Sequence, residues 1–297
     1  CAGSGNCHLR RRSRSIRRQY LQIARKRLSD QARVEDTPNP RPLASVPRSP
    51  PRALRHNGPL QRVRNATLLQ IFASRLYPKL LRAPRKVNLV RQGTDPWPGD
   101  SDRANAIFQG RYRFADSEVQ LFNKPPWGVN APSVEWAAEA AAFGWLRDFR
   151  ADGGQAAKKG ARELVRSWLE RCGEWQPLAW RPDVLGRRVL AWCSHADFIL
   201  HGADPHFRQA FMTSLARQGR HLGLAWTLAP SGVGTVSALA GLAAAHACFG
   251  WQGRINSAIP GLLEAELRKQ ILGDGCHVSR NPSDHLALLR DLIWLQS

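Results

Sequence analysis

The sequence predicts an all-α protein in which antiparallel helical hairpins close around a cleft, an arrangement called an (α/α) toroid. After residue 133, apolar side chains recur at the 3.6-residue spacing of helices, without the alternation typical of strands. The segment 232–249 is so rich in Ala, Leu and Gly that we expect its helix to be buried on all sides. A toroid accommodates such a helix, and a plain helical bundle is the alternative.

The N-terminal part of the chain differs in composition from the rest. Residues 1–95 hold 22 Lys and Arg but only 4 Asp and Glu, so they contribute +18 of the net charge of +21. Within them, residues 1–62 combine Arg clusters with Pro-rich stretches, which bury too little apolar surface to offset the entropy of ordering. We therefore expect a disordered basic arm over 1–62. Nucleic-acid binding, attachment to an acidic membrane and simple solvation are the alternatives for it.

Residues 63–132 are expected to form a lead-in segment with one helix and irregular structure. Apolar residues between 64 and 81 fit one short amphipathic helix, and 110–115 fits a short extended segment. No apolar run reaches the length of about 18 residues that indicates a transmembrane helix, so no membrane span is expected.

Residues 133–297 are expected to form the toroid domain from seven helices. Ser133 is a helix-capping residue, the pair Gly153-Gly154 is a helix stop, and Asp204 before Pro205 is a strong helix start. Capping and stop residues of this kind divide the domain into helices at about 133–152, 155–172, 184–200, 204–226, 232–249, 257–272 and 283–295.

A polar loop separates the last two predicted helices. Two histidines, an arginine, an asparagine and two aspartates fall within the twelve residues 274–285. Because flanking helices fix where the side chains of a loop point, such loops carry function more often than packing. The sequence therefore places the candidate site here.

Four stretches of the sequence resemble the heparinase II/III-like proteins of bacteria. They are Phe-Gly-Trp-Leu-Arg-Asp at 143–148, Trp-Arg-Pro-Asp-Val-Leu-Gly-Arg-Arg-Val-Leu-Ala-Trp at 180–192, Gln-x-Arg-His-Leu at 218–222, and Asp-Gly-x-His-x-x-Arg-x-Pro-x-x-His at 274–285. The resemblance covers about 95–297. It implies a toroid followed by a C-terminal β-sandwich; the sequence ends one helix after the last motif, so we expect the toroid without the sandwich.

The resemblance implies a polysaccharide lyase that cleaves an acidic polysaccharide by β-elimination at uronate residues, in the cell envelope or periplasm, without metal or cofactor. It implies His277 and His285 as catalytic residues. Asp284 stands where the family has a Tyr, and no Asn occurs at 230–234, where the lyases have one. The remaining candidates are substrate-binding residues, namely Arg280, Asn281, Asp284, Arg187 and Arg188.

Structural roles are the alternatives for several of these residues. His277 would donate a hydrogen bond within the loop, Arg280 would pair with Asp284, and Asn281 would serve as a turn residue. If the site is instead functional, these side chains should face one cleft with the start of helix 232–249 and with Arg187 or Arg188. A fragment without the sandwich is expected to release no unsaturated product.

Two other functions compete with the lyase hypothesis. One is a toroid that binds acidic glycans without cleaving them, and the other is nucleic-acid binding through the basic arm. No nucleic-acid-binding motif follows the arm, and residues 96–297 are close to neutral, so no specific nucleic-acid partner is expected.

Overall fold

The structure is a computed structural model, and it describes residues 59–81, 88–122 and 124–296, without the side chains of 59–61. The prediction of a disordered arm falls mostly on residues 1–58, which lie outside the described residues. The helix that follows begins at Pro59, within the last part of the predicted arm.

The described residues form eleven α-helices, one 3-10 turn at Trp226–Leu228 and one two-stranded antiparallel hairpin. In chain order, the elements are α1 Pro59–Ala73, α2 Tyr77–Leu80, α3 Ser101–Phe108, β1 Arg111–Phe114, β2 Ser117–Gln120, α4 Val134–Ala142, α5 Leu146–Asp152, α6 Gln155–Cys172, α7 Pro182–Leu200, α8 Pro205–Ala225, α9 Val233–Phe249, α10 Arg254–Gln270 and α11 Pro282–Gln296.

The prediction of an all-α fold is confirmed, and the predicted capping residues act as helix ends. Ser133 Oγ accepts a hydrogen bond from the backbone N–H of Trp136, and Asp204 Oδ1 accepts one from the N–H of Phe207. The first predicted helix is in fact two, α4 and α5. Phe143 adopts a left-handed conformation with φ of 59° and ends α4 ten residues before the predicted stop at Gly153.

Helix α9 lies inside the array and packs against α7, α8, α10 and α11. From Val236 to Cys248, nearly all of its residues are buried, as its composition predicts. Its backbone touches that of α7, because a Cβ atom added to Gly241 would lie 2.4 Å from the Cα of Gly186. The start of α9 is therefore held at a fixed distance from α7.

The lead-in segment is packed onto the domain. The hydroxyl of Tyr77 donates to Nδ1 of His221 on α8 over 2.6 Å. Burial lowers the pKa of His221 to about 3, so its imidazole is neutral and accepts this proton. Helix α3, which the sequence analysis missed, is capped by the carboxylate of Asp100. The strand predicted at 110–115 is β1, paired with β2.

None of the described helices is both long enough and apolar enough to cross a membrane.

Candidate functional site

A cleft of about 620 Å³ opens between α5, α7, the start of α9 and α11, with the segment that precedes α3 at its rim. The side chains around it are mostly charged or aromatic. Its arginines are Arg103, Arg147, Arg181, Arg187 and Arg290; its carboxyl groups belong to Asp95, Glu139, Asp148, Asp183, Asp284 and Asp291; and its aromatic residues are Trp97, Phe114, Trp145 and Trp294.

Helix α11 contributes one face to this cleft. Asp284, Ala287, Asp291 and Trp294 line it at spacings of three and four residues, which places them on the same side of a helix. Arg290, next to Asp291, lines the cleft as well. Helix α11 therefore reaches the cleft over three turns, most of them beyond the polar loop.

Four of the five arginines lie beside carboxylates. Arg147 Nη2 lies 3.1 Å from Asp95 Oδ2, and Arg103 Nε lies 3.7 Å from Asp148 Oδ2. The other two arginines share one carboxylate: Arg181 forms a two-pronged pair with Asp183 at 2.7 and 2.8 Å, while Arg187 lies 4.0 Å from the same group. These charges are largely neutralised within the protein.

Arg290 is different. Within the described part of the chain it forms no ion pair, and its guanidinium lies 5.7 Å from the ring centroid of Trp97. Arg290 is exposed as a whole residue, yet partial burial of its guanidinium and repulsion by Arg147 and Arg103 lower its pKa, while the carboxylates of Asp95 and Asp291 act in the opposite direction. An anion bound here would relieve that repulsion.

Asp291 is a buried carboxyl group at the same place. Only 7% of the residue is exposed, and its Oδ2 accepts a hydrogen bond from Ser237 Oγ of α9 over 2.6 Å. Burial raises its pKa to about 6, although Ser237 and the charges of Arg187 and Arg290 act in the opposite direction. A carboxyl group with this pKa can both accept and donate a proton near neutral pH.

Asp148 is the most deeply buried carboxyl group of the cleft, with 2% of the residue exposed. Its Oδ1 accepts a hydrogen bond from the backbone N–H of Asp100 over 3.0 Å, which joins the lead-in segment to α5. Burial raises the pKa of Asp148, against the effect of that N–H and of Arg103. Asp148 also lies within ion-pair distance of a cation, Arg103.

His277 does not line the cleft. It is 4% exposed and lies between Gln270 and Ser279: its Nε2 is 3.1 Å from Gln270 Oε1, and its Nδ1 is 2.7 Å from Ser279 Oγ. The backbone N–H of Ser279 donates to Nδ1, and Nε2–H of the ring donates to Gln270 Oε1. This is the structural alternative considered for His277.

The other residues of the polar loop also form contacts within the loop. Arg280 pairs with Asp274 at 2.5 Å rather than with Asp284, and the side-chain oxygen of Asn281 accepts a hydrogen bond from the N–H of Ser283 as in an Asx turn. Neither these two residues nor His285 lines the cleft; only Asp284 of the loop does. Of the residues expected to face one cleft, the structure brings together Asp284, Arg187 and the start of α9, without the two histidines, Arg280 and Asn281.

The two neighbouring arginines of α7 have separate roles. Arg187 lines the cleft beside Asp183. Arg188 is fully buried, donates to Gln218 Oε1 and to the carbonyl of Ala141, both over 2.8 Å, and lies over the ring of Trp168. Its guanidinium is therefore held inside the domain, away from the cleft, and the expected role in substrate binding does not fit its position.

The sequence analysis missed most of the cleft residues. A signal was present in α11, where the charged pair Arg290-Asp291 interrupts an apolar run and Asp291 falls on the same face as Asp284. The arginines near α3 and α5 gave no comparable signal, since only folding brings them together.

Comparisons with known proteins give partial matches. No protein-family model matches the chain. It is 31% identical over 227 residues to the FtsZ-localized protein C of Caulobacter vibrioides, which covers 75% of this chain and 39% of that protein. The chain thus spans about two fifths of this relative's length.

Among solved structures, a mutant of the heparan sulfate lyase HepC from Pedobacter heparinus aligns with a TM-score of 0.50 and 16% identity, covering 81% of this chain and 42% of that one. The unmutated HepC structure aligns with a TM-score of 0.47 and 15% identity. The chain thus has a fold distantly similar to that of a polysaccharide lyase, and at this level of identity the likeness concerns the fold alone.

Proposed function

We propose that the cleft binds a uronate-containing acidic polysaccharide and that the chain is the helical, sugar-binding part of a polysaccharide lyase of the cell envelope. The observation on which this rests is Arg290, a cleft arginine without an ion-pair partner among the described residues, beside Trp97 and near Arg103 and Arg147. The heparan sulfate lyase with a similar fold acts on a polymer of this class.

Binding would depend on individually placed groups rather than on the net charge of the cleft. The cleft has six carboxyl groups and five arginines, so its formal charge is not positive. A planar guanidinium matches a carboxylate in two parallel hydrogen bonds, and Arg290 has this capacity open. The indole of Trp97, at the same spot, offers a flat apolar surface for a sugar ring.

The lyase part of the proposal requires that the uronate carboxylate be neutralised before the adjacent C–H can lose its proton. Arg290 suits that task better than Arg280, whose guanidinium is paired with Asp274 outside the cleft. Among the described residues that line the cleft there is no His or Tyr. The proposal therefore does not assign proton transfer to His277 or His285.

The test is calorimetric titration of the full chain with heparan sulfate oligosaccharides, with dextran as the neutral polymer. We expect saturable binding of the acidic ligand only. Arg290→Ala should weaken it by about 10- to 100-fold, the worth of a hydrogen-bonded charge pair. Arg268→Ala is the matched control, because Arg268 is exposed on α10 and pairs with Glu264 outside the cleft. Equal affinity of both variants, or equal binding of dextran, would refute the proposal.

Association with FtsZ is a second candidate function, favoured by the 31% identity to an FtsZ-localized protein. It is a function separate from sugar binding and is tested separately. The test is sedimentation of the full chain with polymerised and unpolymerised FtsZ of Caulobacter vibrioides. We expect the chain to pellet with polymers only, and the Arg290→Ala variant to pellet equally. A chain that stays in the supernatant with polymers would rule this function out.

A further inference from the structure

We propose that Asp291 is the group that takes the C5 proton from the bound uronate. This inference rests on the proposed function, because it assumes that the cleft holds a uronate with its carboxylate at Arg290. It assigns the proton acceptor to α11, seven residues after Asp284 and away from both histidines of the polar loop.

The first argument is position. In a uronate the acidic C–H, at C5, is one bond away from the carboxylate carbon, C6. A cation that holds the carboxylate and a base that takes the proton must therefore lie side by side. Arg290 and Asp291 are consecutive residues that both line the cleft, and their charges are close enough to interact.

The second argument is the pairing of the other buried carboxyl groups. Asp95 pairs with Arg147 and Asp183 with Arg181. Asp148, whose pKa burial also raises, is set aside on position, because the cation beside it is Arg103 and not Arg290. A carboxylate held by a guanidinium is a weak base, because the cation favours its charged form. Asp291 is instead held by the neutral hydroxyl of Ser237.

The third argument is proton affinity. Burial keeps the pKa of Asp291 near neutrality, where a base exists in its ionised form and still binds a proton well. The charged groups that face it are Arg187 from α7, Arg147 from α5 and its neighbour Arg290, while α9 contributes only the neutral Ser237. All three cations favour the carboxylate, and burial favours the acid.

The step balances without any further reactant. Asp291 accepts the C5 proton, and the C5–H electron pair moves into the C6 carboxylate, whose added negative charge faces Arg290. When the C4–O4 bond breaks, the pair forms the C4–C5 double bond. The departing O4 then takes a proton from Asp291, which returns to its ionised form.

Exchange of the C5 proton with solvent tests the base directly, because it requires only the first half of the reaction. Heparan sulfate oligosaccharides are incubated in D₂O with the full chain, and loss of the NMR signal of the proton on C5 is followed over time. We expect exchange catalysed by the wild type. In Asp291→Asn we expect it to fall by about 100-fold or more, the usual worth of a general base, with affinity changed less than about threefold.

Ser237→Ala provides a second variant that does not depend on the folding of Asp291→Asn. The hydroxyl of Ser237 stabilises the carboxylate, so its removal should raise the pKa of Asp291 and move the acidic limb of the exchange profile to higher pH. A purely structural role of Asp291 would not move this limb. Binding without exchange by the wild type, or an unmoved limb in Ser237→Ala, would overturn the inference. Absence of binding would refute the proposed function itself.

Discussion

Gly241 of α9 and Gly186 of α7 bring two helix backbones into direct contact. A methyl group at Gly241 would lie 2.4 Å from the Cα of Gly186, and one at Gly186 would lie 2.1 Å from the carbonyl oxygen of Ser237. These two glycines thus set the distance between α7, which carries Arg187, and the turn of α9 that carries Ser237.

Gly241→Ala is expected to destabilise the protein, although alanine is the better helix former. The methyl group would collide with backbone rather than with a flexible side chain, so the helices must separate, and overpacking of this kind costs about 1–3 kcal/mol. Gly223→Ala on α8 is the matched control, because its nearest atom is a Leu242 methyl at 3.9 Å. It should be neutral or stabilising by up to about 1 kcal/mol. Urea unfolding of both variants measures the difference, and equal midpoints would contradict the close contact.

Local sequence chemistry accounts for the helices of this fold. The caps at Ser133 and Asp204, and the stop at Gly153, are fixed by residues within a few positions of the helix end, so the sequence predicts them well. Phe143 is the exception. Its left-handed conformation breaks a periodic apolar pattern, and a tightly packed aromatic cluster around its ring holds it there.

The site was harder to predict, for a physical reason. The motif with two histidines near Asp284 predicted a functional site in the polar loop. Its side chains instead form hydrogen bonds within the loop region, as His277 does with Gln270 and Ser279. The cleft is assembled from residues that are distant in sequence, such as Arg103 and Arg290, and no local pattern encodes their meeting. Only the cleft face of α11 could have been predicted from the sequence, because its residues follow helical spacing.

Asp291 should make folding stability depend on pH. Its pKa in the folded protein, about 6, is raised above the ordinary value of 3.8. The folded state therefore binds this proton more tightly than the unfolded state. The resulting stability is fully present below pH 3.8 and is lost as the pH rises through about 6.

The variant Asp291→Asn, whose amide does not titrate, isolates this effect. As the pH rises from 3.5 to 7, the wild type should lose about 3 kcal/mol of unfolding free energy through Asp291, since each pKa unit corresponds to about 1.4 kcal/mol. The variant should not show this loss, so its stability relative to the wild type should rise by the same amount. Urea unfolding of both proteins at the two pH values gives this difference, in which the other titrating groups cancel. A constant difference would mean that Asp291 titrates normally.

The adjacent residues Arg187 and Arg188 should respond oppositely to replacement by leucine. Arg188→Leu leaves Gln218 Oε1 and the carbonyl of Ala141 buried without a donor, which costs about 1–3 kcal/mol for each unsatisfied group. The affinity of the folded molecules for an acidic oligosaccharide should not change. Arg187→Leu removes a half-buried cleft cation, so affinity should fall while stability changes by less than about 1 kcal/mol. Urea unfolding and calorimetry on both variants test the pair, and the reverse pattern would restore Arg188 as a ligand.

His277→Ala decides between the loop and the cleft as the functional site. The imidazole is buried and joins Gln270, at the end of α10, to Ser279, whose hydroxyl in turn contacts Asp284 Oδ2 over 2.7 Å. Its removal leaves the buried side-chain oxygen of Gln270 without a donor, so we expect a loss of about 1–3 kcal/mol and faster amide exchange within residues 270–281. Affinity for acidic oligosaccharides should stay within about threefold of the wild type, because the cleft groups Arg290 and Asp291 lie further along α11 and do not contact the ring.

His285→Ala serves as the comparison, since this half-buried residue is outside both the loop network and the cleft lining and should alter neither quantity. Hydrogen exchange and calorimetry on the two variants provide the measurement. A variant of either histidine that folds with wild-type stability but no longer binds the sugar would return the site to the polar loop.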